Sequence, residues 1–209
     1  MWSRPIVALA ACFLGIALTA CDSRVRQEVT PKPKTNGSKP VISRYSLVSN
    51  PSGGTYDITE CVKDNGTGLI WEGKPVSGTR AATKTYTNYD RASCEQKWNF
   101  GKPINPTRME VDASTNSIGY VKAVNASALC GFTDWRLPTK DELFGIVDKS
   151  QSPTIDNTWL LNTQPQGYWT SSPYAEYSFS VWSVYFYDGG VHYGGRYGYG
   201  AVRLVRSGQ

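Results

Sequence analysis

Leu129-Cys130-Gly131-Phe132-Thr133-Asp134-Trp135-Arg136-Leu137-Pro138-Thr139-Lys140-Asp141-Glu142-Leu143 is the stretch on which the fold turns. Pro138 can neither continue a strand ladder nor sit inside a helix, and it pushes Leu137 toward an extended conformation. Thr139 stands three residues before Glu142, the S/T-x-x-E pattern that opens a helix. Trp135 and Leu137 alternate with Asp134 and Arg136, as in a short strand with one face buried. The expectation is a rigid structural corner between two helices, with a buried Trp135 and with Arg136 paired to an acid such as Glu142 or Asp134.

Upstream of the corner, Ile118, Val121, Val124, Ala128 and Leu129 recur at near-helical spacing. They predict a helix over 117–129, which Gly131 suits as a stop. Downstream, the capped segment predicts a helix over 140–147 with Leu143, Phe144 and Val147 as its apolar stripe, closed by Ser152-Pro153. A further helix is expected over 88–97 and a loop over 102–115, which holds Pro103 and Pro106. Cys61-Val62-Lys63 and Leu69-Ile70-Trp71 flank Asp64-Asn65-Gly66-Thr67-Gly68, a hairpin punctuation. Asp64 there reads as turn chemistry, because the alternating carboxylates of a calcium loop are missing. From Gly167 the pattern changes to strands. Tyr168 to Ser172 is one and Phe179 to Tyr187 another, with Ser180, Trp182, Val184 and Phe186 assigned to one face, where Trp182, Val184 and Phe186 are expected to be buried while the tyrosines stand exposed. Asp188-Gly189-Gly190 turns the chain into Val191-His192-Tyr193. A glycine-tyrosine loop and a last strand over 201–205 follow.

The chain has 209 residues, with 13 Tyr and 7 Trp against 2 Met. That balance favours an aromatic, sheet-rich interior over a helical bundle. At the N-terminus, Arg4 precedes an apolar run from Ile6 to Ala17 that is too short for a comfortable membrane span. The run reads as a secretory signal over 1–20. Leu18-Thr19-Ala20-Cys21 has the lipobox pattern, so Cys21 is expected to carry lipid and tie the chain to a membrane. Asp22 favours the periplasmic face of the inner membrane, with the outer membrane as the alternative. Residues 21–40 hold Pro31, Pro33, Pro40 and Asn36-Gly37-Ser38 and read as a tether. Five of its residues are Lys or Arg, against Asp22 and Glu28. The net charge of +5 is therefore concentrated at the N-terminal end. About one positive charge is left to residues 41–209, which is no field for nucleic acid.

The segments quoted above, with Pro153-Thr154-Ile155-Asp156, Tyr168-Trp169-Thr170-Ser171-Ser172, Val181-Trp182-Ser183-Val184-Tyr185-Phe186 and Val202-Arg203-Leu204-Val205-Arg206, resemble the Lcl C-terminal domain family, formerly DUF1566. The resemblance runs from about Cys61 to Arg206. It implies one α+β domain of C-type-lectin-like, formylglycine-generating-enzyme-like architecture, with two to three helices and a twisted, mainly antiparallel sheet. It also implies an envelope setting and, for a few members, adhesion and glycan binding. Trp71, Trp135, Trp169, Trp182, Arg136, Pro138, Thr139 and Glu142 fall in the shared segments and are expected to be structural, and Arg203 to pair with an acid. Cys61 and Cys130 sit at two such places, so the resemblance favours a bridge between them, with Cys94–Cys130 as the rival.

Catalytic patterns are poorly represented. His192 is the sole histidine and has no Cys or Asp at a recognisable spacing. Ser171-Ser172 lacks a nucleophile-elbow context. The related formylglycine chemistry needs a late cysteine pair, and no cysteine follows Cys130. No metal site and no cofactor are expected. The binding candidates are Tyr185, Tyr187, His192, Tyr193, Arg196, Tyr197 and Tyr199, in a glycine-rich segment. Their rings could stack on a sugar or a protein side chain, and Arg196 could hold an anionic group. The leading expectation is non-catalytic recognition of an envelope glycan or protein. The alternative is a structural envelope component without a ligand site, and an enzyme comes third.

Overall fold

The computed structural model describes residues 43–208. The signal, lipidation and tether readings fall before Val41 and lie outside the described residues. Residues 42–209 form one compact unit of helices and mainly antiparallel sheets. Three sheets are present among the described residues. The first is four-stranded, in the order β1 (Tyr45–Leu47), β2 (Cys61–Asp64), β3 (Ile70–Glu72), β9 (Val205–Arg206). The second is a hairpin of β4 (Lys97–Asn99) and β5 (Lys102–Ile104). The third is β6 (Gly167–Pro173), β7 (Ser180–Tyr185) and β8 (Gly190–Gly195). The helices are α1 (Arg108–Asp112), α2 (Ser117–Ala126) and α3 (Lys140–Phe144).

Two apolar cores lie on opposite faces of the main strands. Successive side chains of a strand point to opposite faces. Accordingly Cys61, Ile70 and Leu204 enter one core, with Tyr120, Val124 and Trp135. Their neighbours Val62, Trp71 and Val205 enter the other, with Leu143, Ile146 and Ile155. The third sheet divides in the same way, Trp169 and Val181 facing the first core and Tyr168 and Val184 the second. Strands covered on both faces have no polar side to show, and all three residues of β3 are buried.

The corner joins these layers. Asn125, in α2, brackets Trp135: its Nδ2 donates to the Trp135 carbonyl at 2.9 Å and its Oδ1 accepts the Trp135 amide at 2.8 Å. Trp135 is 2% exposed, and its Nε1 donates to the Leu129 carbonyl. The backbone of Arg136 pairs with Val205 in both directions, at 3.0 and 2.9 Å. Its guanidinium forks onto both Glu142 oxygens at 2.7 Å. Glu142 also closes the capping box of α3 with Thr139. The arginine, followed by the two hydrogen bonds from Thr139, holds the Glu142 carboxyl below the usual range. Pro138 is buried, and its carbonyl accepts the Ser171 amide at 2.8 Å. Asp134 pairs with Arg206 at 2.7 Å. Cys61 and Cys130 form a disulfide and Cys94 is a free, exposed thiol, which settles the pairing. The Asp64 loop is a turn, its Oδ1 accepting the Gly66 amide at 2.9 Å.

Several expectations are corrected. Residues 88–97 form no helix. The Asp90 carboxylate accepts the Ala92 and Ser93 amides, and buried Gln96 donates to the Asp90 and Ser93 carbonyls. Side-chain partners thereby replace the helical bonds of this stretch. Residues 102–115 are not a loop: they hold β5 and α1, the latter started by a Thr107/Glu110 capping box. Helix α2 ends at Ala126, and Ala128, exposed and left-handed at φ 48°, takes no part in its apolar stripe. Helix α3 is one turn, and Phe144 is 45% exposed while Ile146 fills the core in its place. Arg203 pairs with no acid side chain. It is fully buried and donates to the carbonyls of Glu72 and Leu161 and to the Thr163 hydroxyl. Ala201 to Leu204 make single bridges and loop, and regular pairing resumes only at β9.

Candidate functional site

The third sheet carries an aromatic cluster that faces solvent. Its register sets Trp182 directly opposite Tyr193, so both rings stand on one face. Between β6 and β7 the chain runs through Pro173 to Phe179, closed by the Tyr174 amide on Ser180 O at 3.2 Å and the Ser180 amide on Tyr177 O at 2.9 Å. This loop lays Tyr174 flat on Tyr193, with ring centres 3.9 Å apart and planes within 5°. Trp182 meets both edge-on, at 5.0 and 6.0 Å. Tyr177 joins at 5.8 Å from Tyr174 and stacks on Phe179. Lys140, in the first turn of α3, places its ammonium 5.4 Å from the Trp182 ring centre. Removal from water in the stack, with a hydrogen bond to Glu176, pushes the Tyr174 hydroxyl up to about 12. Tyr177 is 46% and Tyr193 50% exposed. The surface offers aromatic faces and edges with a cation at its rim.

The predicted tyrosine site is thus divided. Tyr193 belongs to this cluster. Tyr185 packs edge-on against His192 at 4.7 Å, near the β7–β8 turn where Tyr187 projects into solvent. His192 lies 3.6 Å from Asp188, whose carboxyl is lowered chiefly by the Gly190 amide. Tyr197 folds over Gly195 and Tyr199 is exposed further along the loop. Arg196 is corrected outright. It is 3% exposed, donates to the Asn88 carbonyl at 3.0 Å and pairs with Asp90 at 2.9 Å, so its guanidinium clasps the 88–90 segment and is withdrawn from any external anion. Trp182 is corrected as well: it is only partly buried within the cluster, whereas Val184 and Phe186 are buried as expected. Tyr174, Tyr177 and Phe179 were missed by sequence reasoning. The signal available was three aromatics in seven residues bounded by two strand patterns.

A second feature is a cleft of about 720 Å³, lined by Thr79, Arg80, Lys84, Tyr86, Tyr120 and Ser127 among others. Behind it lies a buried ionic cluster. Lys74 donates to Glu72 Oε1 at 3.0 Å and to the Tyr120 hydroxyl at 2.9 Å, and Tyr120 in turn donates to Glu72. Arg80 approaches the same carboxylate at 3.5 Å, and the Leu204 amide donates to its other oxygen at 3.0 Å. Burial pulls the Lys74 ammonium down to about 8, against the pull of Glu72. Burial, reinforced by Glu72, pushes the Tyr120 hydroxyl far above its ordinary value. Every charged member has a partner inside the fold. Among the described residues no three His, Cys, Asp or Glu side chains converge as metal ligands.

Fold and surface together define a mixed helix-and-sheet domain, stapled by one disulfide, that leaves an aromatic face open. The Lcl C-terminal domain family model matches residues 60–206, and the chain belongs to that family. A comparison with curated proteins finds no match.

Proposed function

We propose that this chain is a lipid-anchored recognition protein of the bacterial cell envelope, which binds a glycan without catalysing a reaction on it and without a cofactor. The observation that carries this reading is the flat Tyr174–Tyr193 stack with Trp182 edge-on behind it, held half in water by the third sheet. Sugar rings present apolar C–H faces, and pre-ordered aromatic side chains receive them at low entropic cost. In this reading the domain is C-type-lectin-like, residues 1–20 are a signal peptide, and 21–40 a tether. Acylated Cys21 joins the chain to membrane lipid, and Asp22 favours the periplasmic face of the inner membrane. The low net charge of residues 41–209 argues against nucleic acid.

The test is an array of envelope and host glycans probed with the fluorescently labelled unit 42–209, followed by titration of the best ligand. The double variant Tyr174→Ala/Tyr193→Ala should lose binding while keeping its fold, and Tyr187→Ala and Tyr199→Ala should retain it. Undiminished binding by the double variant would remove the platform from the reading. For the anchor, Cys21→Ser should abolish palmitate labelling and release the protein from membranes.

A further inference from the structure

Phe100 is 99% exposed, a solvent-facing ring at the tip of the β4–β5 hairpin. It also occupies a conformation that a bulky residue rarely adopts. Phe100 has φ 46° and Gly101 φ 77°, so both residues of this two-residue turn are left-handed. Hairpins of this geometry ordinarily place Asn, Asp or Gly there. Neither local preference nor burial accounts for a phenylalanine at this point. Two residues earlier, Trp98 is 54% exposed on β4. The base below this apolar tip is fixed. Lys97 pairs with Glu110, the Glu95 amide donates to Asn105 at 2.7 Å, and the Thr107/Glu110 capping box starts α1. That helix carries Arg108 and Met109 into solvent, Met109 being 83% exposed.

We infer that the hairpin tip is a membrane-contact element, which inserts Phe100 and Trp98 at the boundary of a bilayer that carries anionic headgroups. Three observations select this occupant. First, apolar aromatic side chains flanked by cations suit the lipid–water interface. Lys102 is exposed beside the tip, and the Arg108 side chain is 85% exposed, with its nearest acid, Asp112, at 3.7 Å. The other charges of the element are Lys97 and Glu110, which neutralise each other, and Glu95, which lies before β4 at the far end from the tip. Second, the register puts Pro103 opposite Trp98, and with Asn99 and Lys102 closing the turn this is the pair whose amide positions face outward. Pro103 has no amide to offer there, so an incoming peptide strand is poorly served on that edge. Third, the proposed anchor puts a bilayer within reach. Val41 lies twenty residue steps after Cys21, and even fully extended these span no more than about 70 Å. The third observation rests on the proposed anchor, whereas the first two stand without it, and none rests on glycan recognition.

Sedimentation of the unit 42–209 with vesicles tests it apart from both. The unit should co-sediment with vesicles of phosphatidylglycerol and phosphatidylethanolamine, and much less with phosphatidylcholine alone. Phe100→Asn should lower the bound fraction roughly tenfold or more, as expected for withdrawing one large apolar side chain from the boundary. It should at the same time raise the melting temperature, because asparagine tolerates the left-handed turn. Phe100→Trp should preserve binding, and Lys102→Gln/Arg108→Gln should remove the preference for phosphatidylglycerol. Tyr193→Ala, on the glycan platform, should leave sedimentation unchanged. No sedimentation with anionic vesicles, equal sedimentation by Phe100→Asn, or capture of a protein through the tip without vesicle binding would each overturn the inference.

Discussion

The ionic cluster around Glu72 and the aromatic cluster around Trp182 depart from ordinary burial in opposite directions. Glu72 and Lys74 are charged side chains at 0% and 2% exposure. Tyr174, Tyr177, Trp182 and Tyr193 are large aromatics left partly in water. Buried charges persist when paired and hydrogen-bonded, and Glu72 receives Lys74, Tyr120, Arg80 and the Leu204 amide. The fold therefore accounts for that cluster completely. The aromatic cluster has partners within itself, yet Tyr177 and Tyr193 remain 46% and 50% exposed. A region satisfied from within reads as architecture, and one left open reads as an interface.

The sharpest way to break this contrast is to remove one buried partner. Glu72→Ala leaves Lys74 as an uncompensated charge and should cost about 3–5 kcal/mol in chemical denaturation. A loss below 1 kcal/mol would mean that water reaches the cluster. The disulfide supports the same region, since Cys61 lies opposite Glu72 in the β2–β3 register. It closes a 69-residue separation, and replacing both cysteines should cost about 4 kcal/mol in the chain-entropy picture.

A third test uses pH. Lys74 holds its proton with a pKa of about 8 when folded, against an ordinary value of 10.5. Between those values the unfolded chain binds more protons than the fold, so Lys74 makes stability rise with pH there, by at most about 1.4 kcal/mol per pH unit. The buried tyrosines oppose it only above pH 10, where the unfolded state begins to lose phenolic protons that the fold retains; Tyr45, for example, is raised by burial to about 12. Denaturation between pH 8 and 9.5 should show the rise, and Lys74→Met should flatten it. The smallest effect belongs to the open cluster. Tyr193→Ala should change stability by only on the order of 1 kcal/mol, the worth of an aromatic pair. A larger loss would show that the platform is core.

Legibility followed the range of the interaction. The Asp64 turn, the Thr139/Glu142 capping box and the Arg136–Glu142 pair each join residues within six positions, and all were readable. Thr107/Glu110 carries the same capping signal. It was obscured because Pro103 and Pro106 pointed to a loop. The 88–97 segment misled because its helix-like spacing is overruled by Asp90 and Gln96 side chains that bond backbone groups up to six residues away. The arginines could not be told apart. Arg136 and Arg206 meet acids, Arg203 meets carbonyls, and Arg196 closes on Asn88 and Asp90 across more than a hundred residues.

By itself, the sequence determined the local elements of this protein: where α3 starts, where β2 turns into β3, and that the C-terminal third is strands rich in tyrosine. It also carried the family, through segments whose order and spacing survive in the chain. Which tyrosines and arginines stand in water was decided only by the tertiary structure. Period two assigns a side chain to a face of a sheet, but not what covers that face. Val184 on β7 and Phe186 just beyond it are buried in one cluster with Leu143 and Ile146, while Trp182 on the same face packs against Tyr174, Tyr193 and the Lys140 ammonium and stays partly exposed. Burial is set by distant segments that happen to pack above a residue, and no pattern within its own strand contains that information.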